Sequence, residues 1–554
     1  MIYVYIKKEL SKFETDIRDL CLAFFTLQKI TYVIENDEVG ANAAIVGANA
    51  AIVGAKHCEP SRMGELREPD IIVKDYYTGP INSDRLTIKS ELKRQLYNYL
   101  SKLTGKKLLW GTLTGIRPVN IVTGMIENTV GATAATVGAT AAIVGATAAT
   151  VGANAATVGA KHCEPDENKI RQELKKEYYI SDLKANELIK IAKKEIEILE
   201  RPEIKNYKDT YSIYVGVPFC KSTCLYCSFT SFNIEKLAKY VDTYLDTLEK
   251  DFCKRRGELC EPVSKLAPLT LYIGGGTPTS LNEEQFERLL TIIDKYVDKS
   301  KCVEYTVEAG RPDTITKEKL LIMKNHGVTR ISINPQSFNQ KTLDLIGRKH
   351  TVKDVIEKFK LARDLGFDNI NMDIILGLPN EHLLQVLKTL NGIRKLKPDS
   401  FTVHSLALKR AARLNFELDS WTRNYYLAGL GKRNKDVIRE VRDNAGAKHC
   451  EPEGNREIDK MFKWSERLAK FLHLKPYYLY RQKNMAGNLE NVGYAEDGKE
   501  CVYNIMMMSE RHTVYGFGTA TTKEVFYESD GSKRIESEEG YKSVIDYCKS
   551  FETI

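Results

Sequence analysis

No window of this sequence approaches the roughly eighteen consecutive apolar residues that a membrane-crossing helix needs, so no membrane partner is expected. The opening Met1-Ile-Tyr-Val-Tyr-Ile-Lys-Lys lacks the basic lead, apolar middle and small-residue cleavage site of a secretory signal. On these two absences a cytoplasmic location is expected. An excess of one charge is missing too: 82 Lys+Arg against 74 Asp+Glu leave +8 over 554 residues. Without a long basic run nucleic acid is not expected, while mild basicity suits anionic small molecules. Twelve cysteines are present, but in a large cytosolic chain an even number is weak ground for disulfides. What the chain does have is 43% hydrophobic and 28% charged residues, enough for a large core in two to four domains. A monomer is expected.

Three of the thiols fall within one short stretch, Cys220-Lys-Ser-Thr-Cys224-Leu-Tyr226-Cys227, directly after a run over 211–217 that reads as a buried strand. A structural zinc site needs four ligands, and no second pair at a similar spacing follows. A cubane held by three thiolates leaves one iron open to a substrate or cofactor. The triplet, with an aromatic before its last cysteine, resembles the cluster loop of radical S-adenosylmethionine (radical SAM) enzymes; the alternative is three unconnected structural cysteines.

From residue 211 the pattern alternates strand and helix. Strands are expected over 211–217, 270–273, 304–307, 330–333, 369–375 and 400–403, with helices over 234–253, 283–296, 317–325, 352–365 and 383–396. Six such units make an α/β fold, an incomplete (β/α)6 barrel, whose working groups sit where strands end. The polar motifs obey that rule: the cysteine loop follows the first strand, Gly274-Gly275-Gly276-Thr277 the second, Glu308 ends the third, Gln336 follows the fourth, Asp373 lies late in the fifth and His404 ends the sixth.

The expected organisation is an N-terminal α+β domain (1–126), a helical linker (167–204), the barrel (205–410) and a C-terminal α+β extension that covers the substrate (411–554). In the first, strands over 2–6, 30–34 and 71–76 and helices over 12–25 and 84–103 are expected, and Arg117 reads as a tie to the next domain. Two arrays interrupt it. Glycines recur every seven residues at 40, 47 and 54, within 39–60, and from 131 to 159, within 127–166. Both arrays end in Gly-Ala-Lys-His-Cys-Glu-Pro, which returns alone at 446–452. A glycine in every heptad costs about 1 kcal/mol each in a helix, which argues against a coiled coil. Text copied between elements reads as repetitive insertions tolerated in surface loops, His57-Cys58 and its two copies included.

Around these motifs the barrel resembles oxygen-independent coproporphyrinogen III oxidases. The run Tyr478-Leu-Tyr480-Arg481 through Gly493-Tyr494, with the N-terminal domain and Leu113-Thr-Gly-Ile-Arg117-Pro, is similar to the HemZ-type coproporphyrinogen dehydrogenases. The resemblance implies that Cys220, Cys224 and Cys227 hold a 4Fe-4S cluster and that Tyr214, Tyr226, Gly275, Gly276, Thr277, Glu308, Gln336, Arg348 and Asp373 contact S-adenosylmethionine. It implies a one-electron donor such as flavodoxin or ferredoxin, and a 5′-deoxyadenosyl radical that takes hydrogen from a propionate β-carbon. Loss of carbon dioxide and an electron then leaves a vinyl group, carrying coproporphyrinogen III to protoporphyrinogen IX in porphyrin and haem biosynthesis. The catalytic set is the three cysteines with Tyr214. Arg311, Lys409, Arg410, Arg413 and Arg481 are candidate anchors for the propionates. Two other readings stand beside this one: a haem-binding chaperone without oxidase activity, and a radical SAM enzyme for another substrate. The sequence departs from the best-studied oxidases at Ser228-Phe-Thr230, after the last cysteine, and at Gly516-Phe-Gly518-Thr519.

Overall fold

The computed structural model describes residues 2–6, 8–24, 30–34, 71–72, 85–115, 117–128, 166–227, 229, 231–259, 265–407, 412–414, 456–482, 485–528 and 533–551. The arrays at 40–60 and 131–165, the copy at 446–452, and Lys409, Arg410, Ser228 and Thr230 lie outside them.

Strand β1 (Ile2–Ile6) pairs in parallel with β2 (Ile30–Ile34) and β3 (Ile71–Ile72). Helices Glu14–Phe24 and Arg85–Thr104 cover this sheet, and their spacing explains how. Ile17, Leu20 and Phe24 on one, and Ile88, Leu92, Leu96 and Leu100 on the other, recur every three or four residues and close a small core of their own. Arg117 forms an ion pair with Glu510 at 3.0 Å, which reaches the C-terminal part of the chain rather than the segment that follows it.

The barrel begins at β4 (Tyr211–Val217). A short parallel pair follows, β5 (Phe219–Cys220) and β6 (Phe232–Asn233), which brackets the cysteine loop. Then come β7 (Thr270–Gly275), parallel to β4, and β8 (Glu304–Val307), β9 (Arg330–Ser332), β10 (Ile370–Leu376) and β11 (Ser400–Ser405), each parallel to the strand before it. Helices cover the outer face of these strands, and the strands' inner-facing side chains, Tyr214, Tyr272 and Asp373 among them, line a cavity, so most strand residues are buried. The helix expected from 234 starts only at Val241, because Ile234 N–H still bonds Cys220 O (2.9 Å) and a 3-10 turn over Ala238–Tyr240 comes first.

The C-terminal part is woven into the same sheet. Strand β12 (Lys475–Tyr480) pairs with β13 (Asn491–Ala495), and β13 runs antiparallel to β11. On the opposite edge β14 (Thr513–Gly518) lies parallel to β4, extended by β15 (Thr522–Tyr527) and β16 (Lys533–Glu538). The result is an eleven-stranded open sheet in the order β12-β13-β11-β10-β9-β8-β7-β4-β14-β15-β16, with seven consecutive parallel strands rather than six. Helix Val502–Ser509 spans the cleft, touching β12 on one side and β7 on the other, and is pinned where Val502 N–H donates to Glu304 at the start of β8 (2.6 Å).

The segment expected as a linker, 167–204, belongs to the barrel body. Its helices Glu167–Tyr178 and Asp182–Leu199 bury Ile170, Leu174, Leu188 and Ile191 in the main core, and the second packs on β12. No helix among the described residues is long and apolar enough to cross a membrane.

Candidate cluster and cofactor site

The cysteine loop is held from three sides. Phe232 N–H bonds Pro218 O (2.8 Å), Asn233 Nδ2 bonds Lys221 O (3.0 Å), and Leu225 N–H bonds Ile346 O (2.9 Å). Ser222 Oγ donates to Gly347 O at 2.9 Å, tying the loop to the turn that carries Arg348. Thus fixed, Cys220, Cys224 and Cys227, all free thiols, face one cavity of about 380 Å3. Burial pushes the Cys220 and Cys227 thiols up, so bare they are neutral, whereas a bound metal draws thiolates. Among the described residues no three His, Cys, Asp or Glu side chains gather tightly enough for a single ion. A cubane spreads its ligands more widely than one ion does, which suits thiols that share a cavity without converging on a point.

Backbone forms the next wall. Gly276 N–H bonds Val217 O and Thr277 N–H bonds Phe219 O, both at 2.7 Å, drawing the loop after β7 against the start of the cysteine loop. Only glycine fits there: a Cβ at Gly276 would stand 2.4 Å from Phe219 O, and Gly275 has φ +103°. The Thr277 hydroxyl lies 3.4 Å from Cys220 Sγ.

Acids line the middle. Tyr272 donates to Glu308 Oε1 (2.7 Å) and stacks against Tyr214 and Tyr503, with ring centres 5.8 and 4.5 Å away. Burial raises Glu308 to about 7, with the charge of Asp373 adding to the shift and the Tyr272 bond opposing it. Asp373 goes the other way: burial alone would raise it, but hydrogen bonds from His404, Asn371 and Thr402 hold it below the usual carboxylate range. Asn371 Nδ2 stands 2.8 Å from Asp373 Oδ1, and His404 is in turn approached by the Tyr480 hydroxyl at 3.3 Å.

Gln336 has φ +61°, a left-handed backbone that a non-glycine residue seldom adopts, held by Gln336 N–H to Asp373 O (3.0 Å) and Ile375 N–H to Gln336 O (3.1 Å). Arg348 donates to Gly310 O (3.1 Å) and Asn334 O (2.6 Å) and also reaches Tyr226 and Cys224.

The twelve residues that the resemblance assigns to the cluster and cofactor all line this one cavity. The sequence did not point to Tyr272, Tyr503, Arg330, Asn334 or Asn371, which line it as well. Tyr272 carries a weak signal, two residues before Gly274 and so on the same face of β7. Tyr503, on a helix rich in methionine, carries none. Of the candidate anchors, Arg481 is placed elsewhere, while Arg311 lines the cavity at the cysteine loop. Arg481 lies over the Trp110 ring (4.7 Å) and donates to Leu113 O and Asn488, so it joins the N-terminal segment to the C-terminal one. Arg311 is 2% exposed and turned toward the cysteine loop. Arg413 is exposed.

Several buried polar atoms of the lining have no partner among the described residues: Arg311 Nη2, Arg330 Nε, Ser332 Oγ, Gln336 Oε1 and Arg348 Nε. Such atoms are costly unless a ligand completes them. S-adenosylmethionine carries an amine, a carboxylate, two ribose hydroxyls and a cationic sulfur, a set that matches these donors, acceptors and acids. The residues present therefore fit a three-thiolate cluster with this cofactor beside it.

Comparison with known proteins agrees. The radical SAM superfamily profile matches residues 214–391. The oxygen-independent coproporphyrinogen-III oxidase-like protein HemZ of Bacillus subtilis (strain 168) is 35% identical over 447 residues, covering 80% of this chain and 75% of that protein. The heme chaperone HemW of the same organism is 38% identical over 199 residues, covering 36% of this chain and 51% of HemW, so this chain spans about half of that relative. Coproporphyrinogen III oxidase HemN of Escherichia coli, a radical SAM enzyme, is a distant structural likeness with 19% identity and a TM-score of 0.38 over 59% of this chain and 69% of HemN. Radical SAM proteins use a 4Fe-4S cluster and S-adenosylmethionine. The chain belongs to the radical SAM superfamily and, within it, to the oxygen-independent coproporphyrinogen III oxidase family on its HemZ-type branch.

Proposed function

We propose that the chain carries out the oxygen-independent oxidative decarboxylation of coproporphyrinogen III to protoporphyrinogen IX, fed by a one-electron donor of the flavodoxin or ferredoxin class. The observation that carries this reading is the extent of the likeness to HemZ, which spans 80% of the chain, whereas the likeness to the chaperone HemW spans 36%.

In this reading Cys220, Cys224 and Cys227 hold the cluster, and Gly275, Gly276 and Thr277 leave backbone bare for the cofactor to approach. Glu308 and Asp373 accept from its amine and hydroxyls, Gln336 and Arg348 orient it, Tyr226 packs beside the last thiol and Tyr214 walls it in. When bound, the cluster and S-adenosylmethionine supply a hydrogen-abstracting radical after one-electron cleavage of a carbon–sulfur bond. The chain's own contribution is to exclude water and to aim a propionate β-carbon at that site; the stacked Tyr214, Tyr272 and Tyr503 close the floor. The residues after 411 cover the substrate, with Arg413 and the neighbouring Lys409 and Arg410 offered to its carboxylates.

The test is anaerobic reconstitution with iron, sulfide, S-adenosylmethionine, a low-potential reductant and coproporphyrinogen III, followed by chromatography of the porphyrin products. Divinyl product is expected. An intact cluster with no vinyl product overturns the substrate. Stoichiometric haem binding without decarboxylation establishes the chaperone reading, which the higher local identity to HemW supports.

A further inference from the structure

Of the three thiols only Cys224, among the described residues, has guanidinium groups within hydrogen-bonding reach; Arg311 and Arg348 act on Cys220 and Cys227 through their charge alone. Cys220 has the Thr277 hydroxyl and Cys227 the Phe229 N–H, both neutral. Cys224 Sγ has Arg348 on one side and, on the other, Arg311 Nη1 at 3.8 Å. The same Arg311 nitrogen donates to Ser222 O (2.8 Å), two residues before the thiol, and Arg311 Nε faces Asp313 Oδ1 at 3.3 Å. The residue is set in place without any ligand: its carbonyl accepts from Thr314 N–H (2.9 Å) and from the Thr314 hydroxyl (2.7 Å). Its Nη2 is buried and has no partner among the described residues, and the side chain is too enclosed to receive a propionate.

Resting on the cluster reading above, we propose that Arg311 is a positioning residue for the cluster, clamping the loop through Ser222 O and donating to the Cys224 sulfur so that the reduced cluster is favoured. The reasoning is electrostatic. Reduction adds a negative charge to the cluster, and a fixed cation with an N–H aimed at one of its sulfurs stabilises the reduced state more than the oxidised one. Hydrogen bonds to cluster sulfurs and nearby charge are among the main determinants of such potentials. Burial between Asp313 and the loop keeps the cation dry, where its field is screened least.

The experiment is a redox titration of the full chain, reconstituted anaerobically without S-adenosylmethionine and followed by electron paramagnetic resonance. Arg311→Gln is expected to keep its iron and shift the reduction equilibrium at least tenfold toward the oxidised cluster, about 59 mV for one electron. Arg311→Lys, which keeps the charge and loses the fork, should shift less in potential but move the Fe–S(Cys) stretching bands in resonance Raman spectra. Arg394→Gln, a cation on an outer helix, should change neither. If Arg311→Gln loses iron, the lysine variant carries the test. Midpoints and bands identical to the parent at full iron content overturn the proposal. A parent chain that binds no cluster overturns the cluster reading itself, and the two failures are told apart by the iron assay alone.

Discussion

Cys224 is where a single atom matters most. Replacing it with Ala removes the sulfur between Arg311 and Arg348, and the two thiols left cannot retain a cubane. Iron content, the visible absorbance of the cluster and S-adenosylmethionine cleavage should all be lost, while the circular dichroism of the fold stays. Glu308 makes a different kind of prediction. Its folded carboxyl holds a proton up to about 7, where an unfolded glutamate releases it near 4.5. The proton's stabilising contribution is thus complete below pH 4.5 and is lost as pH rises through 7. A cationic cofactor prefers the ionised acid, so its affinity should improve about tenfold between pH 6 and 8. Calorimetric titration across that range checks it, and Glu308→Gln should flatten the dependence.

Elements were legible in the sequence to the degree that their own residues decide them. Helices Glu283–Tyr296, Lys317–Asn325 and Val352–Asp364 begin at side-chain caps, Asn282 with Gln285, Thr316, and Thr351 with Asp354, and each fell within a residue of its expected span. The strand ends were legible for a related reason: a strand buried on both faces stops where polar motif residues start, and those residues turned out to share a cavity. What stayed hidden depends on partners far along the chain. β14 reads poorly as a strand because of Gly516 and Gly518, yet glycine is needed, since a Cβ at 516 would stand 2.6 Å from Thr521 O. The helices of 167–204 look like a linker because their charged face is as evident as their apolar one. Helix Val502–Ser509 carries no motif, and its place under the barrel yields a prediction at this scale. Tyr503 is 2% exposed, stacked on Tyr214 and Tyr272, and its hydroxyl has no partner among the described residues. Tyr503→Ala should cost about 3–5 kcal/mol in denaturant unfolding. Tyr503→Phe should be neutral or slightly stabilising, since it removes a buried hydroxyl that nothing satisfies. With the floor opened, the alanine variant should cleave S-adenosylmethionine without a matching amount of substrate product.

At the scale of the whole molecule, the repeats are the first thing to remove. Deleting 131–160 leaves intact the Asp166 cap, whose carboxylate accepts from Asn168 N–H (3.0 Å) and Lys169 N–H (3.1 Å), and shortening that connection changes closure entropy by only about 1 kcal/mol. The shortened chain should melt within a few degrees of the parent and load the same iron; a loss of cofactor cleavage in a folded deletion variant would make the array part of the working protein. The sheet order has a consequence for how the chain comes into being. β4, the strand that leads into the cysteine loop, has its outer edge paired by β14, with Tyr211 opposite Thr513, 302 positions later. On a ribosome adding about 5–20 residues per second, that edge waits roughly 15–60 s for its neighbour. During this interval three oxidisable thiols stand beside an unpaired strand, so a nascent chain made in air meets oxygen before β14 can close that edge.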